Sequence, residues 1–160
     1  GAHMFAATML WPASEPNELL ISNGLSTMGF AVPAAIGAAL LPSPRVVALT
    51  GDGGLLICLG ELATIAREHL RIVIVVLKDA SLSLIEIKQQ QRKLAPAGVA
   101  LGDLDWTKIA AGFGIAVWSA GTPDELETAL DAAASADGPA LIEARIDRSN
   151  YRATMKAVRG

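Results

Sequence analysis

An open α/β fold, with a mainly parallel sheet and helices on both faces, is what two alternating hydrophobic periods predict for these 160 residues. Residues 46–50 (VVALT) and 72–77 (IVIVVL) are short, continuous apolar runs rich in β-branched side chains, the pattern of strands buried on both faces. Segments of helical length lie between and after them. Residues 1–160 read as one domain, without linker, internal repeat or low-complexity tract.

Taken in chain order, residues 29–41 (GFAVPAAIGAALL) are Ala-rich and uncharged, a helix expected to be packed on all sides, with Pro33 tolerated near its start. After the strand at 46–50, residues 55–70 (LLICLGELATIAREHL) have helical length, with charges at Glu61, Arg67 and Glu68. The strand at 72–77 follows. Residues 115–118 and 141–146 are two further strand candidates. Between them, Thr122-Pro123-Asp124-Glu125 combines a capping residue, a first-turn proline and acidic residues, which starts a helix. Strand–helix–strand units with right-handed crossovers then give the sheet.

Composition excludes several classes. With 13 basic and 16 acidic residues the net charge is −3, and there is no basic run to serve as a nucleic-acid footprint. The single cysteine, Cys58, rules out a disulfide framework or a thiolate zinc site and suits a cytoplasmic chain. No apolar run reaches the length of a membrane span, and no signal peptide is visible. Charged residues are only 18% of the chain, against about 25% in ordinary soluble domains, and mean hydropathy is +0.42. Apolar surface meant for a partner is the expectation.

The first strand runs into Thr50-Gly51-Asp52-Gly53-Gly54, directly before a helix. Ligands in such sheets sit beyond the carboxyl ends of the strands. Glycines let the backbone approach a ligand closely, and free N–H groups at a helix start favour a phosphate. Asp52 would repel that phosphate unless a cation lay between them, so a magnesium diphosphate site is the economical reading. Asp79 follows Asp52 by 27 positions, in the loop after the next strand, and brings a second carboxylate to the same end of the sheet. Alone, Gly-Asp-Gly is also compatible with a plain turn, and paired acids at strand ends also occur in receiver-like domains. The G-x-G-x-x-G nucleotide fingerprint is not matched.

Together these residues resemble the diphosphate-binding domain of thiamine diphosphate enzymes, whose motif is Gly-Asp-Gly, some two dozen residues, then a metal-binding Asn after a buried strand. Here that stretch reads GDGGLLICLGELATIAREHLRIVIVVLKDASLSLI. Upstream, SNGLSTMGFAVPAAIGAAL is similar to the acetolactate synthase and benzoylformate decarboxylase branch, and the resemblance is dense over residues 21–88. It implies thiamine diphosphate and Mg²⁺ as cofactors. Asp52 and Asp79 become metal ligands through their side chains and Ser81 through its carbonyl. Gly51, Gly53 and Gly54 shape the diphosphate loop, the last two offering N–H groups. The Ser26 carbonyl meets the aminopyrimidine, and Met28 is the apolar wedge that bends the cofactor so that its amino group approaches the thiazolium. Leu82 and Leu84 line the pocket. Gly1-Ala2-His3-Met4 reads either as a cloning remnant or as the family's Gly-x-His segment, whose histidine contacts the diphosphate, His3 then being a weak contact.

Two departures matter. The family usually has Asn at the position of Asp79 and often at that of Lys78; a second carboxylate makes cofactor binding lean harder on the metal, or marks an altered site. Lys78 offsets that charge by pointing inward, or points into solvent. The other departure is an absence: no catalytic residue is expected in this chain, because the activating glutamate belongs to a separate pyrimidine-binding domain. Elsewhere, Cys58, Trp106 and Trp118 read as packing residues, His69 as a structural helix-end residue, and residues 86–93 as a solvated helix.

The resemblance thus implies half of an enzyme site acting on 2-oxo acids by decarboxylation or carboligation, inactive in isolation. Its partners would be a pyrimidine-binding domain, in cis or from a second subunit, and further copies in a homo-oligomer, with no nucleic acid and no membrane. A start inside the Gly-x-His segment suggests a longer polypeptide. A free-standing subunit resembling those of two-subunit sulfopyruvate decarboxylases is one alternative; a non-catalytic metal- or protein-binding module is another.

Overall fold

The computed structural model describes residues 1–42 and 45–159. Four parallel strands make the sheet: β1 (Val46–Gly51), β2 (Ile72–Lys78), β3 (Ala116–Ala120) and β4 (Ala140–Arg145), in the order β1-β2-β4-β3. Eight helices accompany them: α1 (Ala2–Leu10), α2 (Ala31–Ala39), α3 (Asp52–Ile57), α4 (Glu61–Arg67), α5 (Ser83–Gln91), α6 (Trp106–Gly112), α7 (Pro123–Ser135) and α8 (Tyr151–Arg159). The predicted α/β class is the observed one, and all four predicted strands form within a few residues of their expected bounds.

Period-two alternation builds two cores. On β2, Ile72, Ile74 and Val76 face a core shared with Val32, Leu55, Leu62, Ile65 and Trp106 from four helices. Val73 and Val75 face the other side, with Ala140, Ile142 and Ala144 of β4 against Ala129 and Ala133 of α7. Small alanines on α7 let that helix lie close to the sheet. Thr122 caps it, its Oγ accepting from the Glu125 N–H at 3.3 Å. At its far end the Arg45 guanidinium donates to the carbonyls of Ala133 and Gly138, at 3.1 and 3.0 Å.

Three expectations need correction. The helix read over 55–70 is two helices: α3 begins earlier, at Asp52, and the chain breaks at Cys58–Gly60 before α4. Gly60 costs helical stability and sits at the N-cap of the second piece, so a glycine inside the apolar period marks a junction. Cys58 therefore lies at the end of α3 and is half-buried rather than interior. Second, α2 is not packed on all sides; Val32 and Ala35 are buried, while Pro33 and Gly37 are exposed and Leu40, just beyond it, is 65% exposed. Third, α1, α6 and α8 were not anticipated. Among the described residues no helix is long and apolar enough to cross a membrane.

An ion cluster, with Lys78 and Glu143 buried and Asp103 exposed, stitches the carboxyl ends of β2 and β4 to α6. Lys78, the last residue of β2, points inward: its Nζ lies 3.3 Å from Glu143 Oε1 on β4 and 2.6 Å from Asp103. Glu143 Oε2 accepts the Trp106 N–H at 3.0 Å, satisfying a donor at the start of α6. Burial pulls the Lys78 ammonium down, but its bonds to Asp103 and Glu143 outweigh that and hold it above its ordinary value. Replacing Glu143 with alanine removes one partner from a buried cation and the acceptor from the Trp106 N–H. The expected loss is about 3–5 kcal/mol of unfolding free energy, read by urea denaturation; a loss below 1 kcal/mol would deny the cluster its structural part.

Candidate active-site cleft

Strand register places the site. Gly51 pairs with Leu77 and Lys78 pairs with Arg145, so β1, β2 and β4 release their chains side by side. Asp52 opens α3 immediately after β1, and its carboxylate turns across to the next loop. Oδ2 accepts the Ala80 N–H at 2.7 Å while Oδ1 accepts the Gly53 N–H at 2.8 Å. One buried side chain thus clamps the two strand-end loops together.

The second loop is folded on Asp79. Oδ1 accepts from the Ser81 N–H at 3.1 Å and Oδ2 from the Ser83 hydroxyl at 2.5 Å. Ala80 adopts φ +59°, a left-handed conformation that costs a residue with a Cβ and is held here by the Asp52 bond. Ser81 is bridged to Ala100 by Leu82 N–H to Val99 O at 2.8 Å and Leu101 N–H to Ala80 O at 3.0 Å. Neither bond uses the Ser81 carbonyl, which leaves that oxygen facing away from its bridge partner.

These loops end a cleft of about 770 Å³ that runs along β1 between α1, α2 and the start of α5. All eleven residues singled out in the sequence line it: His3, Ser26, Met28, Gly51, Asp52, Gly53, Gly54, Asp79, Ser81, Leu82 and Leu84. Gly53 lies close against apolar side chains, since a Cβ there would come within 2.6 Å of Leu82 Cδ2 and 3.2 Å of Met28 Cε. At Gly51 a Cβ would strike the His3 ring at 2.9 Å. At both positions a Cβ would have to displace the end of a neighbouring side chain. Ser26 joins Ala80 in the left-handed region, with φ +51°.

Electrostatically the strand-end loops bring two carboxylates together, while Lys88 of α5 also lines the cleft. Burial pushes the Asp52 carboxyl up; bonds from the Gly53 and Ala80 N–H groups pull it back, and the charge of Asp79 pushes it up again. Lys78, the nearest cation in sequence, is taken by Glu143 and Asp103. Among the described residues no three His, Cys, Asp or Glu side chains gather as a metal cage. Two carboxylates and a carbonyl are hard oxygen donors, an incomplete shell that suits a magnesium ion finishing its coordination on ligand oxygens and water.

Tyr151, which the sequence reading passed over, also reaches this end of the cleft. Burial, then the charges of Asp79 and Asp52, push its phenol up to about 12. No local motif announces it; it arrives because β4 lies next to β2, an order that hydrophobic pattern alone does not give. Glu86, expected on a solvated helix face, accepts from the Ser81 hydroxyl at 2.8 Å.

Comparison with known proteins identifies the family. Residues 1–144 match the family described as thiamine pyrophosphate enzyme, C-terminal TPP binding domain. The chain is 34% identical over 151 residues to an acetolactate synthase of Bacillus subtilis (strain 168), covering 94% of this chain and 26% of that protein. With the acetolactate synthase isozyme 1 large subunit of Escherichia coli (strain K12) it shares 36% identity over 152 residues, covering 92% of this chain and 27% of the relative. It therefore spans about a quarter of the length of these relatives. Among solved structures, a thiamine diphosphate-dependent 4-hydroxybenzoylformate decarboxylase of Rhodococcus jostii RHA1 superposes with a TM-score of 0.69 at 28% identity, over 76% of this chain and 24% of that one.

The histidine against Gly51 gives a pH signature. Burial lowers the His3 imidazole to about 4 from its ordinary 6.5. The unfolded chain then takes up this proton first. Its stabilising contribution is whole above pH 6.5 and is lost as pH falls towards 4. Thermal unfolding should weaken across that window, and His3→Phe should flatten the dependence. An imidazole NMR midpoint near 6.5 would instead put the ring in solvent.

Proposed function

The chain belongs to the thiamine pyrophosphate enzyme family, matching its C-terminal TPP binding domain, and from that premise we propose that it holds the diphosphate end of thiamine diphosphate through Mg²⁺, as one half of an enzyme acting on 2-oxo acids. The observation that carries this reading is the Asp52 clamp, which sets two carboxylates and the Ser81 carbonyl at one end of a glycine-floored cleft. The donor set fits the group: hard oxygens for the metal, the Gly54 backbone in the first turn of α3 for phosphate oxygens, and apolar Met28 and Leu82 beside them, whereas the Gly53 N–H, expected to serve the diphosphate, is given to Asp52.

When bound, thiamine diphosphate supplies a nucleophilic thiazolium carbon able to add to the carbonyl of a 2-oxo acid. The chain's own residues bind and orient. Asp52 and Asp79 fix the cation, Met28 supports the middle of the cofactor, and Ser26 presents its carbonyl from a left-handed backbone. Leu82 and Leu84 keep water from the cleft wall. An aspartate at position 79, in place of the family's usual asparagine, makes cofactor affinity depend more steeply on the metal. The activating glutamate belongs to a pyrimidine-binding domain outside residues 1–160, so this chain alone binds without turning over substrate. The acetolactate synthase relatives favour decarboxylation with carboligation as the reaction class.

A docking face for that domain, or for a second copy, accounts for the apolar residues left in solvent. Leu25 is 91% exposed, and Leu10, Leu40, Leu41 and Ile57 are each more than half exposed. The chain should self-associate as its concentration rises, which sedimentation velocity measures; a monomer throughout would contradict this account.

The cofactor assignment is tested by calorimetric titration of thiamine diphosphate with and without Mg²⁺. Wild-type binding should require the metal, and Asp52→Ala should lose about 100-fold or more in affinity. Equal affinity in that variant would overturn the site.

A further inference from the structure

The diphosphate end of the cleft, as described, is rich in acceptors and short of donors. On the second loop the side-chain donors go to carboxylates, the Ser83 hydroxyl to Asp79 at 2.5 Å and the Ser81 hydroxyl to Glu86 at 2.8 Å, and at the first the Thr50 hydroxyl is given to the Gly51 carbonyl at 3.1 Å. The N–H groups of Gly53, Ala80 and Ser81 are likewise given to Asp52 and Asp79. A diphosphate carries only acceptor oxygens, so the cation cannot satisfy all of them.

A phenol is delivered to this place by the chain that leaves β4. The Ile146 N–H donates to the Lys78 carbonyl at 3.1 Å, extending β4 past the end of β2. Two residues on, Arg148 Nη1 lies 2.8 Å from Glu86 Oε2, the same carboxylate oxygen that holds the Ser81 hydroxyl. The Tyr151 N–H then donates to the Arg148 carbonyl at 3.1 Å and opens α8. Tyr151 is thereby registered to the Asp79 loop by three successive bonds, half-buried and lining the cleft with Asp52, Asp79 and Ser81. The two carboxylates act on the phenol through charge, not through a hydrogen bond. What suits the space between an O–H donor and two anions is a cation carrying its own anionic oxygens.

We infer that Tyr151 is a diphosphate-binding residue, its hydroxyl donating to a diphosphate oxygen of the bound cofactor, and that the Arg148–Glu86 pair is the positioning device that holds it there. The inference rests on the cofactor site proposed above and adds to it a side-chain donor from the opposite end of the chain. It makes the segment after β4 part of the binding site instead of a trailing end.

The experiment uses two ligands at saturating Mg²⁺, thiamine diphosphate and inorganic diphosphate, titrated calorimetrically into wild type, Tyr151→Phe, Arg148→Ala and Asp52→Ala. Phenylalanine keeps the ring and removes only the donor, so Tyr151→Phe should unfold like wild type yet bind both ligands about tenfold more weakly. Arg148→Ala should weaken both in the same direction. Tyr151 is the chain's only tyrosine, so ring-labelled protein gives one set of tyrosine signals, which should move when Mg²⁺ and inorganic diphosphate are added together. Unchanged affinity of Tyr151→Phe for both ligands, with wild type binding and Asp52→Ala not, overturns the Tyr151 assignment and leaves the cofactor site standing. Weakening confined to thiamine diphosphate overturns the assignment to the diphosphate end. Wild type that binds neither ligand, or Asp52→Ala that binds like wild type, overturns the cofactor site and this inference with it.

Discussion

The Asp52 carboxylate is the constraint on which the cleft depends. It is buried at the first residue of a helix and spends both oxygens on backbone N–H groups, one in its own loop and one in the loop after the neighbouring strand. The second of those bonds holds Ala80 in a left-handed conformation, and that conformation turns Asp79 and Ser81 together at the strand end. Parallel pairing supplies the approximate closeness of the two loops; the carboxylate fixes it. The same group carries a cost, because burial beside Asp79 pushes its protonation upward. A divalent cation between the two acids would reverse that penalty, so the element that organises the loops is also the one that calls for the ion.

Charge is sorted around this point. Lys78 is adjacent to Asp79 in sequence, yet its ammonium is turned to Glu143 and Asp103, where it helps tie β2, β4 and α6 together. Had it faced the acids, it would have offset the charge that a metal ion needs. Arg148 is likewise drawn to Glu86, which leaves uncharged donors near the carboxylates. The cluster at Glu143 thus does two things at once: it stabilises the sheet end and it keeps the cleft anionic.

Much of the fold was legible because it follows period. Continuous apolar runs became β1 and β2, and Thr122-Pro123 opened α7 where capping chemistry puts a helix start. The two strand-end loops were legible because glycines and acids there have few other uses. What sequence could not give is whatever depends on strand order. Lys78 could be assigned inward only once β4 was known to lie beside β2, and Tyr151 could be found only once the exit of β4 was. The single helix read over 55–70 failed because Gly60 interrupts an apolar pattern that otherwise continues. For α6 a usable signal was present: Asp105 caps it, accepting the Lys108 N–H at 3.0 Å. By contrast α1 has no capping side chain and no charged residue in its terminal turns, so nothing in residues 2–10 marks its ends.

The low charge content met first in the sequence acquires a physical location here. Interior packing accounts for most apolar residues of β2 and β4 and for Ala129 and Ala133 of α7, which are buried in two cores. It does not account for Leu10, Leu25, Leu40, Leu41 or Ile57, nor for the exposed face of the Ala-rich α2. These residues come from elements surrounding the cleft: α1, the segment before Met28, α2 and α3. In β1, the edge strand of the sheet, Val47 is 40% exposed although it pairs in register with the buried Val73. The cleft has one solid wall, made by the strand-end loops. A partner covering these exposed apolar residues would lower the dielectric around the cleft and strengthen the charge–dipole contacts at the Asp52 end, which would couple the excess hydrophobicity to the acidic strand-end loops.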